Sequence, residues 1–232
     1  MTPFQQKQLA LMRQMETKLA SDSRVSTIVP MQTDYATDNQ LCLSLNAFVP
    51  KAISVSIQNR LIGPLQRLDP HQYYYPKESL HITFHSIRII HNPPTYSEKD
   101  IATSQQLLTE LVQSERPFPF IWHGVLSLPT SVSVIVLITP EYDRFIRRLR
   151  RAFVSSGIPD VKKYFSDEMI FANTTICRYS HKPSPEFLQK VAIFKNIDIG
   201  TSVIDNVSLV ETNAGAYPSK THVLGAFRFT GN

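Results

Sequence analysis

No apolar run in this chain approaches the roughly 20 residues that a helix needs to cross a bilayer. The longest, over residues 132–138, is already interrupted by Ser133, so no membrane span is expected. Cysteine is almost as scarce. Cys42 and Cys177 are the only two, which gives neither a disulfide framework nor a zinc signature and suits a reducing compartment. Lys7, Arg13 and Glu16 break up any apolar stretch of a secretory signal, so the cytoplasm is the expected location. Low-complexity tracts and short-period repeats are missing, and no stretch reads as a linker between independent domains. A strong charge of either sign is lacking as well: 24 Lys and Arg against 19 Asp and Glu leave +5. That excess suits an anionic ligand but falls short of the basic loading of a dedicated nucleic-acid binder.

What is present is a 232-residue chain with 42% hydrophobic residues, enough for a sizeable core in one domain. Thr2-Pro3-Phe4-Gln5 reads as a capping box with proline at the first helical position, followed by Leu9, Met12, Met15 and Leu19 at helical spacing. A strand is predicted over 41–48, then a helix carrying Ile53, Ile57 and Leu61 that Gly63-Pro64 should stop. Strands are expected at 80–90, 119–128, 131–139, around Asn173, at 202–211 and at 222–230. Between them lie helices capped at Ser97, over 141–156, and from Pro185 to about Asn196. The order implies an α+β fold with its polar motifs in separate halves.

Those motifs are Leu80-His81-Ile82-Thr83-Phe84 and, 92 residues on (173 − 81), Asn173-Thr174-Thr175-Ile176-Cys177-Arg178. Both sit in β-branched runs, where period-2 alternation puts residues i and i+2 on one face. His-x-Thr and Asn-x-Thr therefore each aim two polar side chains the same way. Two histidines can divide the base and acid roles of a phosphodiester displacement near neutral pH. Two threonine hydroxyls can donate to the phosphate oxygens. Here only His81 titrates, because an asparagine stands where the second histidine would be.

Around the first motif, Tyr74-Tyr75-Pro76-Lys77-Glu78-Ser79-Leu80-His81-Ile82-Thr83-Phe84 resembles the signature of the 2H phosphoesterase superfamily, in its 2',5' RNA ligase/cyclic phosphodiesterase branch. Residues 43–50, Phe120-x-x-x-Gly124, Thr174-Thr175-Ile176-x-Arg178 and Leu209-Val210-Glu211 extend the resemblance over roughly 41–230. It implies a two-lobed domain at 36–232, with two mainly antiparallel sheets facing a central cleft and helices outside. Residues 1–35 would be an added helix and connection. It also implies metal-independent, cofactor-free chemistry by His81, Thr83, Asn173 and Thr175. Arg178, His85 and Tyr74 would contact the substrate, an RNA end or small nucleotide bearing a 2',3'-cyclic phosphate or 2',5' linkage, in a monomeric protein. The alternative is a catalytically inactive binder of such ends.

Several neighbouring residues have plainer readings. His85, on the face of His81 and Thr83 about 13 Å along a regular strand, serves equally well as a structural histidine. Cys177, which would share the face of Asn173 and Thr175, is expected to be a buried, inert thiol. Arg144, Arg147, Arg148 and Arg151 form a stripe opposite their helix's apolar side, more in keeping with a solvated face than an RNA platform.

Overall fold

The computed structural model describes residues 1–22, 24 and 26–231, and among them nine strands form two sheets. In one, β1 (Leu41–Phe48), β3 (His81–His91), β8 (Asn206–Thr212) and β9 (His222–Arg228) run in the order β3-β1-β8-β9. In the other, β2 (Tyr73–Tyr74), β4 (Phe118–Leu128), β5 (Ser131–Leu137), β6 (Ala172–Arg178) and β7 (Asp198–Ile204) run in the order β2-β6-β5-β4-β7. Every strand pairing is antiparallel. Leaving the two-residue β2 aside, β3 and β6, which carry the two motifs, are each the end strand of their sheet and are in direct contact.

The core between the sheets is built by residues whose spacing already marked them. β5, Ser131-Val132-Ser133-Val134-Ile135-Val136-Leu137, is buried along its whole length, as its run of β-branched residues requires. Helix α5 (Pro140–Ser155) begins at the Thr139 cap with proline in its first turn, and buries Tyr142, Phe145, Ile146, Leu149 and Phe153. Tyr142 meets Phe84 of β3 and Phe120 of β4 edge to face, at 4.9 and 5.1 Å between ring centroids. Aromatic pairs in this geometry contribute about 0.5–1.5 kcal/mol each beyond their buried area. Helices α4 (Glu98–Gln113) and α6 (Pro185–Ile193) pack on β9 and β4 respectively.

Two elements differ from the sequence expectation. Gly63-Pro64 does not stop the helix begun by α2 (Lys51–Ile57). The chain passes through a π turn at Gln58–Ile62 and continues as α3 (Gly63–Leu68). The widened turn lets the Gly63 N–H donate to the Gln58 carbonyl and leaves Pro64 in a first turn, where its missing N–H costs little. The single strand expected over 202–211 is two, β7 and β8, parted at Asp205 and belonging to different sheets. The chain crosses between the lobes there, and the Asp205 carbonyl accepts from Phe229 N at 2.9 Å.

Helix α1 (Pro3–Ser21) forms with its capping box intact: Gln5 N donates to Thr2 Oγ1 at 3.3 Å and Thr2 N donates to Gln5 Oε1 at 3.0 Å. It docks on the second sheet through fully buried Met12, which packs with Leu126, Ile135 and Leu137. Buried Gln8 donates to the Val136 carbonyl at 3.2 Å and accepts from Ile138 N at 3.0 Å. Gln8→Ala removes the side-chain partner of both buried backbone groups. It should therefore lower unfolding free energy by about 2–4 kcal/mol in urea titrations, and a loss below about 0.5 kcal/mol would count against α1 being integral. Among the described residues no helix is long and apolar enough to cross a membrane.

Candidate active site

Both motifs open onto one cavity of about 270 Å³, lined by His81 and Thr83 from β3 and by Asn173, Thr175 and Arg178 from β6. Partners in adjacent strands share a face, and the pairing of Ser133 with Thr175 puts that serine beside the second motif. Ser133 Oγ and Thr175 Oγ1 are 3.3 Å apart.

The protonation of His81 follows from its partner. Its Nδ1 lies 2.8 Å from the Ser79 carbonyl oxygen, which can only accept, so Nδ1 carries the hydrogen and Nε2 keeps a free lone pair. Burial pushes the pKa of His81 below its ordinary value; the Ser79 hydrogen bond opposes this and the Arg178 charge adds to it. The imidazole is therefore neutral at neutral pH, the form a general base requires. Arg178 is held by its Nε, which donates to Tyr75 Oη at 2.9 Å and to the Ala214 carbonyl at 2.6 Å. Tyr75 is itself buried, its hydroxyl donating to Ala214 O at 2.6 Å and its ring 6.2 Å from His81.

Each motif strand carries a β-bulge at the same offset. In β3, Thr83 and His85 oppose the consecutive residues Asn46 and Leu45. In β6, Thr175 and Cys177 oppose Ser133 and Val132. The extra residue reverses the alternation beyond each threonine. His85 thus does not stand beside His81 and Thr83 as a regular strand would place it. Its ring lies 5.0 Å from Phe153 of α5, with Nδ1 unpartnered, although it still borders the cavity. Burial, with Arg150 and Lys162 nearby, lowers its pKa to about 3, so it is a neutral histidine. Cys177 is turned inward in the same way, and burial holds its thiol well above the ordinary range. The residues restored to the cavity are Ser86 in β3 and Arg178 in β6.

Tyr74 is not brought into the cavity lining. It pairs in β2 with Cys177, and its hydroxyl donates to the Asp69 carbonyl at 2.8 Å. The hydroxyls of Tyr73 and Tyr75 likewise donate to backbone carbonyls, so the three tyrosines brace the wall behind Arg178. The arginine stripe of α5 also lies outside the lining: Arg144, Arg147 and Arg148 pair with Glu141, Asp143 and Glu115.

Sequence reading missed two cations. Arg150 and Lys162 line the cavity with Arg178, and among the described residues no carboxylate does. Lys162 Nζ donates to Ser86 Oγ at 3.3 Å; burial, then Arg150, lowers its pKa. The Arg150 guanidinium stacks 3.6 Å from the Tyr164 ring centroid, with Asp160 behind it at 4.0 Å. A signal for Arg150 was present: it stands four residues from Ile146 and three from Phe153, on the buried side of an amphipathic helix. Lys162 lies in an irregular segment with no period to read. Among the described residues no group of three or more His, Cys, Asp or Glu is placed to hold a metal ion.

Two antiparallel sheets, with a motif strand from each meeting at one cleft, make this an α+β chain with the two-lobed 2H phosphoesterase-like fold. Solved structures share that fold. A protein of Thermus thermophilus, TT0787, superimposes with a TM-score of 0.61 at 16% identity, covering 82% of this chain and 99% of its own. The apo form of E. coli LigT does so with a TM-score of 0.57 at 12% identity, covering 83% of this chain and 99% of its own. A structure described as a phosphoesterase gives 0.55 at 13% identity, covering 83% of this chain and 99% of its own. LigT has also been solved in complexes with NADP+, ATP, 3'-AMP and phosphate. Neither a protein-family model nor a curated protein matches the sequence.

Proposed function

We propose that this protein binds a 2',3'-cyclic phosphate or 2',5'-linked end of a nucleotide or RNA, and hydrolyses it slowly by acid/base chemistry at His81. The observation that carries the reading is the cavity itself: motifs 92 residues apart (173 − 81) converge there, and its lining among the described residues holds three cationic side chains and no carboxylate. The nucleotide and phosphate complexes of LigT, a protein of the same fold, support a ligand of this type.

In the proposed reaction, water attacks phosphorus and gives its proton to His81 Nε2. Thr83, Thr175 and Arg178 stabilise the charge on the non-bridging oxygens, and one ester P–O bond breaks. The departing oxygen needs a proton, which here comes from solvent water and keeps the reaction slow. In a two-histidine site the second imidazole would supply it, whereas the Asn173 amide can only donate a hydrogen bond. Asn173 is also what favours the second reading, binding without turnover in the same cleft.

Both readings require phosphate recognition by Arg178. Titration calorimetry with 2',3'-cyclic AMP should show Arg178→Met weakening binding at least tenfold, about 1.4 kcal/mol, and more at low salt. Unchanged affinity would remove the phosphate role of this cleft.

A further inference from the structure

Helix α1 packs on the same sheet face as the second motif. Cross-strand partners share a face, and Ile135 pairs with Asn173, Ser133 with Thr175, Leu126 with Ser133, and Ile121 with Leu137. The face is polar at Asn173, Thr175 and Ser133 and turns apolar at Ile135, Leu137 and Leu126, where Met12 is buried. α1 therefore fills the stretch of cleft that a longer ligand would follow away from the motif. Beyond α1 the chain returns over the cavity at residues 26–29, all four of which line it.

That return is tied to the segment that carries Lys162 and Tyr164. Thr27 N donates to the Lys163 carbonyl at 3.1 Å, Lys163 N donates to Thr27 Oγ1 at 2.9 Å, and Ser26 Oγ donates to the same carbonyl at 3.2 Å. The cavity's volume of about 270 Å³ lies just below the range of ligand pockets, which span roughly 300–1,000 Å³. The structural neighbours, matched over 99% of their own length, leave about a sixth of this chain over.

We infer that the N-terminal segment is the fourth wall of the site and restricts it to a compact phosphate ester of mononucleotide size, excluding an RNA chain that ends in the same group. This rests on the phosphate-binding reading above. An RNA chain gains counterion-release affinity on any basic surface, so the measurement must report the cavity alone. The probe is displacement of fluorescent 2',3'-cyclic AMP from the full chain. Unlabelled 2',3'-cyclic AMP should compete at least tenfold better than a pentanucleotide ending in a 2',3'-cyclic phosphate. Thr27→Pro, which removes both the N–H and the hydroxyl at the strap, should narrow that gap by strengthening the pentanucleotide. In the unaltered protein, saturating 2',3'-cyclic AMP should slow amide exchange at residues 26–29 at least fivefold. A pentanucleotide that competes as well as the mononucleotide, or exchange at 26–29 that ignores the ligand, overturns the wall while leaving phosphate binding intact. Binding of neither ligand overturns both.

Discussion

Asn173→His is expected to hydrolyse 2',3'-cyclic AMP roughly 10²- to 10⁴-fold faster than the natural chain, the range one positioned acid or base contributes. In barrier terms this is about 3–5.5 kcal/mol. The new imidazole would stand on the cavity face of β6, two residues before Thr175, as His81 stands two before Thr83 on β3. Its proton would go to the leaving oxygen while His81 Nε2 takes the proton from water. Adding His81→Ala to Asn173→His should return the rate to or below that of the natural chain, since the two groups act on one transition state. The pH profile provides an independent check. His81 works unprotonated and its pKa is lowered by burial, so the rate should hold to pH values below 6.5 before the acid limb falls. Steady-state assays of the three proteins decide the matter. No gain in Asn173→His, with binding retained, would show that the cleft has diverged at more than this position.

The second large effect is on stability and comes from His85. In the folded protein this ring stays neutral down to about pH 3, held there by burial and by the charges of Arg150 and Lys162. In the unfolded chain it takes up a proton near its ordinary value of about 6.5. Between those values the unfolded state binds more protons, so unfolding free energy falls as pH falls through the window and is fully retained above it. The slope approaches about 1.4 kcal/mol per pH unit, or roughly 3 kcal/mol between pH 6.5 and pH 4. His85→Leu keeps an apolar group against Phe153 and removes the titration. Urea titrations at several pH values should show the difference between the two proteins shifting by that amount toward the variant. Parallel curves would mean that His85 charges in the folded state.

The two cationic residues absent from the sequence reading, Arg150 and Lys162, add to burial in making that histidine hard to protonate. With Arg178 they also gather more positive charge at the cavity than a net charge of +5 over the whole chain implies. Formal charge counts residues, whereas a site responds to which of them converge. The carboxylates nearest this cluster, such as Asp160 behind Arg150, lie outside the lining.

Much of the site was legible locally. That His81 and Thr83 share a face, and that Asn173 and Thr175 do, follows from strand alternation over three residues. The caps at Thr2 and Ser97 likewise act on N–H groups three residues away. Such features depend on a few neighbouring dihedrals, so the sequence alone determined the strands that carry the motifs and the face on which each motif's two polar side chains lie. The tertiary structure decided what depends on pairing between distant segments. The bulges at Phe84 and Ile176 are registers of β3 on β1 and of β6 on β5, and they exchange His85 for Ser86 and Cys177 for Arg178 at the cavity. The division of 202–211 between two sheets, and the seating of α1 on the cleft face, are likewise set by which apolar surfaces meet. A hydrophobic pattern says that a face will be buried; only the whole fold says against what.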